Sequence, residues 1–353
     1  MSLPSGTCNE TLDQDMAIVR TRFQWFALIV GLIMLFTLPL WNNNLTLNFI
    51  NYLGISIIAA LGLNILTGCC GQISIGHAAF MMVGAYISSW LTIHFGVPFW
   101  IGLPLAGLTA GAVGMIFGVP SLRVKGFYLV MATLAAQIII PWCIRNIHPE
   151  WTGGYQPLAI PVPRIGDISI KTETQWFYII IPIMVLMTFF AKNLMRTRMG
   201  RAFVAIRDND LAAEVMGINV FKYKVAAFFI SSVYAGIAGS LMATWMRAVS
   251  FSFFELDASI WYLGIIIIGG LGSVFGAVAG AIFVRVLDYA IPLIIQAIAV
   301  FLPIFNLNTD IGTAAKPIIF GLILLAFILF EPRGIAYRWE KFKAYYRLWP
   351  FAY

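Results

Sequence analysis

Near its middle, the sequence reads Arg196-Thr-Arg-Met-Gly-Arg-Ala-Phe-Val-Ala-Ile-Arg-Asp-Asn-Asp-Leu-Ala-Ala-Glu-Val-Met-Gly-Ile-Asn219. The wider segment 192–224 carries seven of the 22 lysines and arginines of the chain and only three acidic residues. Of the 353 residues, 61% are hydrophobic and 10% are charged, whereas a soluble domain has about 25% charged residues. A basic loop between apolar segments faces the cytoplasm by the positive-inside bias. The sequence therefore predicts a membrane protein with this loop on its cytoplasmic side.

Ten apolar segments surround the loop, and each has roughly the length that a helix needs to cross about 30 Å of hydrocarbon. The predicted spans are 24–41, 48–66, 73–93, 97–118, 126–144, 176–191, 225–246, 258–284, 286–305 and 317–330. The predicted fold class is all-α, a polytopic membrane helix bundle with about ten transmembrane helices.

The basic residues also set an orientation. If 192–224 is cytoplasmic and the spans alternate, 17 basic residues lie inside, including Arg285 near a predicted span end, and five lie outside. This distribution predicts a cytoplasmic N-terminus at 1–23, a transmembrane domain over 24–335 and a cytoplasmic tail at 336–353.

One long segment outside the membrane, 145–175, is rich in proline and glycine. Within it, residues 165–170 alternate apolar and polar side chains, which indicates a short strand pair. We expect this periplasmic segment to be a structured connection or a contact for something delivered from outside.

The net charge of +7 would suggest nucleic acid as a partner of a soluble protein. Here the basic residues cluster at the ends of apolar segments, so they indicate topology and contacts with lipid headgroups. The cysteines Cys8, Cys69, Cys70 and Cys143 have no Cys-x-x-Cys spacing, so the sequence predicts neither a disulfide framework nor a metal site. We expect membrane lipid, and no nucleic acid, among the partners.

Two glycine-rich stretches, 66–77 and 264–276, indicate broken helices. Non-helical backbone at membrane depth must be buried in protein or line a wet cavity. One break lies in each half of five spans, so the pattern is compatible with an inverted five-helix repeat around a transport path. Gln72, Ser74 and His77 would suit that path, and they would equally suit capping of the helix that follows.

Small residues recur every four positions in three stripes. Such stripes let helices approach closely in lipid, where hydrophobicity gives helices no reason to associate. The stripes are Gly272, Gly276 and Gly280; Ala106, Ala110, Gly114 and Gly118; and Ala235, Gly239 and Ala243.

Transport against a gradient needs an energy source, which is either ATP or an ion gradient that acts through charged residues in the membrane. No glycine is followed by lysine, so the chain has no P-loop for ATP. Arg285 and Asp288 are three residues apart on one helical face and suit an intrahelical or snorkelling pair. The alternative is a stand-alone secondary carrier driven by protons through Asp288.

No set of nucleophile, base and metal ligands is visible, so we expect no catalytic residues.

The polar loop itself contains a short predicted helix. Asp208 or Asn209 would be its N-cap, residues 211–216 its body, and Gly217 its left-handed C-cap. A short, capped, partly apolar helix suits insertion into a groove of another protein. The alternative is a helix lying on the membrane surface.

Several motifs now resemble a known family. The chain resembles the LivM-type permeases of branched-chain amino acid ABC importers, with five matches in order between about residues 50 and 335. The matches are Gly200–Asn219 with Tyr223-Lys224, Leu61-Gly-Leu-Asn64 with Gly71–Phe80, Trp151-Thr-Gly-Gly154, Ile268–Ser273 and Glu331-Pro-Arg-Gly334.

This resemblance implies a permease subunit in a bacterial inner membrane that passes a small polar solute, such as an amino acid, amide or carboxylate. The implied partners are a second, LivH-like permease, two cytoplasmic ATPases that bind ATP and Mg²⁺, and a periplasmic substrate-binding protein. The implied ATPase-coupling residues are Arg201, Arg207, Asp208, Asp210, Leu211, Ala212, Ala213, Glu214 and Gly217. The sequence departs from the amino-acid-type pattern at Tyr155-Gln156-Pro157 and in the aromatic tail 345–353.

Overall fold

A computed structural model describes residues 22–41, 43–121, 127–165, 168–301 and 309–348. Parts of the predicted termini 1–23 and 336–353, together with Arg123 and Lys125, lie outside the described residues. The helices are α1 (Arg22–Thr37), α2 (Asn44–Leu63), α3 (His77–Phe95), α4 (Phe99–Ser121), α5 (Phe127–Asn146), α6 (Glu173–Leu194), α7 (Arg198–Asp208), α8 (Asp210–Val215), α9 (Val220–Met246), α10 (Leu256–Gly269), α11 (Val274–Phe301), α12 (Thr309–Phe330) and α13 (Gly334–Leu348).

The apolar helices confirm the polytopic all-α bundle. Within the described ranges, eight helices are long and apolar enough to cross a membrane. A bent pair, Lys316–Phe330 and Gly334–Tyr346, would make a ninth span, and Trp25–Leu40 is a shorter apolar helix. These elements together account for the ten predicted apolar segments.

The predicted boundary between the spans 258–284 and 286–305 was wrong. The chain breaks earlier, at 270–273, where Gly270 and Gly272 adopt φ values of 111° and 81° that favour glycine. Helix α11 then runs without interruption through Arg285. Arg285 therefore lies in the interior of a helix rather than near a span end, and it does not belong among the basic residues counted on the cytoplasmic side.

The first predicted break is also present. Helix α2 continues into a turn of π-helix at Asn64–Cys69, and the chain then runs without regular structure to the start of α3 at His77. Single π-helical turns often occur at functional sites, because they re-aim the backbone within a helix.

The long helix α9 lies at the centre of the bundle and packs against α2, α3 and α4. The approach is close because small residues face each other. A Cβ atom added to Gly239 would overlap the carbonyl of Met81, and one added to Gly84 would overlap the backbone of Gly236. The buried apolar side chains of these helices form one continuous core.

A second close contact joins α10 and α11. A Cβ atom at Gly276 would lie 2.7 Å from the carbonyl oxygen of Gly269, and one at Gly280 would overlap the carbonyl of Ile265. Gly272 differs from the expectation of a continuous helical stripe, because it lies in the turn before α11.

The segment 145–175 contains little regular structure apart from one helical turn at Pro149–Thr152 and short strands. The strand pair expected within 165–170 is present as β2 (Arg164–Ile165) and β3 (Ile168–Ser169), which are antiparallel. A second pair joins β1 (Leu158–Ala159) to β4 (Ala248–Val249). The second pair ties this segment to the end of α9.

Candidate functional site

The polar loop folds into two consecutive helices, α7 and α8, with side-chain caps. The Thr197 hydroxyl accepts a hydrogen bond from the Gly200 N–H at the start of α7. Asn209 is the N-cap of α8, since its Oδ1 accepts from the Leu211 and Ala212 N–H groups at 3.1 Å each. Of the two cap candidates in the sequence, the structure selects Asn209 over Asp208.

Helix α8 ends as the glycine pattern predicts. Gly217 has a φ of 84°, a left-handed conformation that glycine adopts without steric cost. The Gly217 N–H donates to the Glu214 carbonyl at 2.9 Å, and the Ile218 N–H donates to the Ala213 carbonyl at 3.0 Å. This pair of bonds is a Schellman motif, which closes the helix after two turns.

One side of this helical pair is anchored to the bundle. Phe203 and Ile206 of α7 are buried, and the Phe203 ring meets the Tyr223 ring edge-on at 6.4 Å between centroids. Ala213 of α8 is buried too, and Asp210 lies 3.6 Å from the Lys224 ammonium at the start of α9. The loop is therefore held as a defined body against the membrane helices.

The other side of α8 is open and apolar. The exposed fractions of Leu211, Val215 and Met216 are 63%, 87% and 81%. Ala212 and Glu214 are exposed as well. Isolated exposed apolar residues are ordinary, but three on a helix of two turns form a coherent patch.

Arg207 connects this segment to both helix breaks. Its Nη1 donates to the Gly68 carbonyl at 3.1 Å, while its Nε and Nη2 donate to Asp208 Oδ1 at 3.1 Å. A Cβ atom at Gly71 would lie 2.9 Å from the Arg207 side chain, and one at Gly272 would lie 2.8 Å from its Nη1. The guanidinium thus occupies a space that the glycines of the two breaks leave open.

The two breaks also bond directly to each other through Asn64. Its Nδ2 donates to the Ser273 carbonyl at 3.2 Å, and its Oδ1 accepts from the Gly272 N–H at 2.9 Å. A Cβ atom at Gly68 would overlap the Gly272 nitrogen. The breaks, far apart in sequence, therefore form a single layer that lies beneath α7.

The three residues considered for a path lie at the first break and are all buried. Ser74 Oγ accepts from the Gly76 N–H at 3.4 Å. His77 Nε2 lies 2.9 Å from the Ala59 carbonyl oxygen, and its ring meets the Tyr262 ring edge-on at 6.0 Å. The Gln72 side-chain amide has no hydrogen-bond partner among the described residues.

The helix that begins at His77 takes most of its caps from distant helices. The Ala79 N–H donates to Gln137 Oε1 at 3.0 Å, and the Ala78 N–H donates to Ser259 Oγ at 2.9 Å. Ser259 Oγ in turn donates to Gln137 Oε1 at 2.9 Å. Sequence reasoning missed these caps, although polar residues such as Gln137 inside an apolar span were a usable signal.

A second polar group lies around Arg285, away from the two breaks. The Arg285 Nε donates to Ser56 Oγ at 2.8 Å, and its guanidinium carbon lies 3.8 Å from the centre of the Tyr52 ring. Asp288 is 3.5 Å from Arg285 Nη1 and accepts from Lys316 Nζ at 3.0 Å. The expected Arg285–Asp288 pair is present, but the sequence did not indicate Lys316 as its third member.

These charged residues line a cavity of about 330 Å³. Acidic and aromatic side chains complete its wall. The lining residues are Tyr52, Ser252, Phe253, Glu255, Asp257, Ala258, Trp261, Tyr262, Arg285, Asp288, Lys316 and Pro317.

Among the residues that the structure describes, no group of three or more His, Cys, Asp or Glu side chains is placed so that it could hold a metal ion. Cys69, Cys70 and Cys143 are free thiols, and Cys8 lies outside the described residues.

Comparison with known proteins gives a consistent result. The profile of the family described as "Branched-chain amino acid transport system / permease component" matches residues 45–328. The chain is 33% identical over 256 residues to the high-affinity branched-chain amino acid transport system permease protein LivM of Escherichia coli, which covers 66% of this chain and 60% of that protein. The LivM protein of Salmonella typhimurium is 32% identical over the same shares of both chains.

A further relative is named for a different substrate. The ribose import permease protein RbsC of Haemophilus influenzae is 26% identical over 258 residues, which cover 70% of this chain and 77% of that protein. The chain spans about 60% of the length of the two LivM proteins that it matches. No solved structure matches the chain.

Proposed function

Since this chain belongs to the family of branched-chain amino acid transport system permease components, we propose that it is the membrane-spanning subunit of an ATP-driven importer for a small polar solute. The chain itself would bind no ATP and catalyse no reaction. Two partner ATPases would hold ATP and Mg²⁺, a second, LivH-like permease would complete the membrane assembly, and a periplasmic binding protein would deliver the solute.

The observation that carries this proposal is the contact between Arg207 and Gly68. On one side of Arg207, helix α8 presents an exposed apolar patch. On the other side, the guanidinium bonds to a carbonyl of the first break, at the place where the second break also meets it. A force applied to α8 by a docked protein would reach both broken helices through these contacts.

The mechanism we propose follows from that connection. Closure of the ATPases on ATP would push the segment 196–219, and the Arg207 contact would shift the layer formed by the two breaks. Because packed helices have discrete arrangements rather than a continuum of them, the shift would rock the bundle between two states. The path past Gln72, Ser74 and His77 would then open alternately to each side.

The coupling surface would consist of residues that dock the ATPase and residues that hold the docking helix in place. Leu211, Ala212, Glu214 and Arg201 are exposed and would touch the partner. Ala213, Asp210, Asp208, Arg207 and Gly217 would position them, through burial, ion pairing or the helix cap.

For the solute, we propose an amino acid or a related amide or carboxylate. The LivM proteins have the highest identity among the relatives reported above, and their names specify branched-chain amino acids. For orientation, we propose that 192–224 and both termini face the cytoplasm and that 145–175 faces the periplasm of a bacterial inner membrane. The excess of basic residues around α7 supports this orientation.

The docking part is tested with two substitutions on α8, Leu211→Asp and Glu214→Arg. Both should reduce co-purification of the ATPases and ATP-driven uptake, while the permease still inserts in the membrane. Matched controls lie on α13, where Phe342→Asp and Glu340→Arg introduce the same charged side chains at exposed positions. Normal assembly and uptake in both α8 variants would overturn the docking role.

The rival proposal, a proton-driven carrier that uses Asp288, is tested by Asp288→Asn in vesicles that carry a proton gradient and no ATPase. Asp288 lies between two cations in the structure, an arrangement that supports a structural ion pair. Gradient-driven uptake by the parent protein that is lost in Asp288→Asn would favour the carrier.

A further inference from the structure

We infer that the cavity around Arg285 is a binding site for a zwitterionic amino acid with an apolar side chain. This inference rests on the proposed function, because it assigns a solute site within the proposed importer subunit. It concerns a different part of the chain from the coupling segment.

The cavity lies well away from the breaks along the helices that line it. Asp257 is the second residue of α10 and Gly269, at the break, is its last. Twelve residues of helix correspond to about 18 Å at 1.5 Å per residue. Tyr52 likewise precedes Asn64 by twelve residues in the continuous α2 segment. In the proposed orientation, the cavity is therefore in the outer half of the bundle, where a delivered solute would first arrive.

One wall of the cavity carries unbalanced positive charge. Arg285 is buried, with 8% of its surface exposed, and Lys316 is partly buried. Both pair with the same carboxylate, Asp288, so the cations outnumber the carboxylates by one on this wall. The lining as a whole holds three carboxylates and two cations, because Glu255 and Asp257 also line the cavity. The carboxylate of a solute would give Arg285 and Lys316 a second direct partner.

The acidic residues of the lining come from another element. Glu255 and Asp257 lie at the N-terminal end of α10, whereas Arg285 and Asp288 belong to α11. The cavity is therefore dipolar, with a net positive charge from α11 and α12 and a negative charge from the start of α10. A solute that carries both a carboxylate and an ammonium group matches this arrangement, whereas a sugar, a simple anion or a simple cation matches at most one half of it.

Aromatic side chains supply the remaining surface. Phe253, Trp261 and Tyr52 line the cavity beside the charged groups, and they provide apolar area for a hydrocarbon side chain. The volume of about 330 Å³ is at the lower end of the range for small-molecule pockets, roughly 300–1,000 Å³. Tyr262 forms the inner wall, and its ring contacts the ring of His77. The cavity is thus separated from the first break by these two rings.

The site is tested by direct binding to the full-length chain in lipid nanodiscs, with tritiated L-leucine as the probe. Leucinamide, which lacks the carboxylate, and N-acetyl-leucine, which lacks the ammonium group, are the competitors, together with D-ribose. We expect unlabelled leucine to displace the probe and each of the three competitors to be at least about tenfold weaker, because each lost charge-assisted contact corresponds to about that factor. This comparison changes only the solute, so it does not depend on how a variant folds.

The protein side of the site is tested with Lys316→Gln and Glu255→Gln, which remove one charge from each wall at partly or fully exposed positions. Each should raise the half-saturation concentration of leucine about tenfold. The controls Lys171→Gln and Glu150→Gln remove the same charges from exposed positions outside the cavity and should leave it unchanged. No saturable leucine binding to the parent, equal competition by ribose, or unchanged binding in both cavity variants would overturn the site.

This binding assay contains no ATPase, so its failure can be told apart from failure of the proposed function. ATP-driven leucine uptake together with unchanged leucine binding in both cavity variants would overturn the proposed binding site but not the proposed importer function. Charge-dependent binding without any ATP-driven uptake would overturn the importer function but not the binding site.

Discussion

At the scale of single residues, Arg207 has a role that its sequence context did not reveal. The basic loop indicated topology, and Arg207 was one of seven cations in it. In the structure, it is the arginine of this segment whose side chain bonds to the backbone of a broken helix. The contact requires glycines at both breaks, since a Cβ atom at Gly71 or Gly272 would crowd the guanidinium.

We predict that Arg207→Ala uncouples the importer without detaching its ATPases. The substitution removes the bond to Gly68 but leaves the apolar patch of α8 in place. ATP hydrolysis should continue while solute uptake falls about tenfold, the factor expected for one charge-assisted hydrogen bond. The ratio of solute imported to ATP hydrolysed measures the effect. Arg198→Ala, an exposed substitution on the same helix, is the control, and an equal ratio in the two variants would contradict the prediction.

Asn64 provides a second prediction at this scale. Its amide both donates to and accepts from the second break, so Asn64→Leu leaves a part-buried carbonyl and a part-buried N–H without their partner. Each such loss costs about 1–3 kcal/mol, and the midpoint of thermal unfolding in detergent should fall. Asn146→Leu removes only a bond within one helix at an exposed position. A midpoint no lower for Asn64→Leu than for Asn146→Leu would refute the proposed bracing between the breaks.

The residue-scale features that the sequence revealed are local ones. The choice of Asn209 or Asp208 as a cap, the stop at Gly217 and the Arg285–Asp288 pair depend on residues within a few positions of each other. Lys316, Gln137 and Ser259 were not identified because their partners are on other helices. Such contacts depend on helix packing, which one sequence without its fold does not specify.

At the scale of elements, the shape of α8 depends on its C-terminal glycine. Gly217 has a φ of 84° and open space around it, so Gly217→Ala tests backbone strain alone, about 1–2 kcal/mol. We predict that this variant frays α8 and weakens ATPase co-purification. Gly96→Ala is a matched control at the end of α3, where φ is 61° and the space is also open. It should cost similar stability and leave co-purification normal. Equal co-purification in both variants would count against a docking role for α8.

The packing of α9 against α3 gives a prediction about the bundle. A methyl group at Gly239 would overlap the backbone of Met81, so Gly239→Ala should push the two helices apart and lower the unfolding midpoint. Overpacking of this kind typically costs about 1–3 kcal/mol. Gly321→Ala places the same methyl group in open space on α12 and should leave the midpoint unchanged or slightly higher. An unfolding midpoint that is lower for Gly321→Ala than for Gly239→Ala would contradict the close contact between α9 and α3.

Most elements could be predicted from hydropathy, because each span needs a long apolar run. The glycines of 264–276 predicted a break there, but hydropathy did not show that this break is the end of a span. The apolar pattern continues on both sides of 270–273, and Arg285 looked like the end of a span because a charged residue usually is one. In the structure, Asp288 on the same helix and Ser56 and Tyr52 on α2 contact the Arg285 guanidinium, so the helix continues past it.

At the scale of the whole molecule, the two polar sites are connected by the same helices. Helices α2 and α10 each run from the layer beneath Arg207 to the cavity around Arg285. A displacement of the layer therefore acts on helices that also line the cavity. This arrangement gives a physical route by which ATPase closure could change the affinity for a solute about 18 Å away.

The central claim is that energy enters this protein from partner ATPases through the segment 196–219. Its most direct test measures uptake of tritiated leucine into proteoliposomes that contain the assembled permeases, with the binding protein on the outside and the ATPases and ATP enclosed. The same vesicles are then prepared without the ATPases. We predict concentrative uptake in the first preparation and none in the second. Equal uptake in the two preparations would contradict the claim.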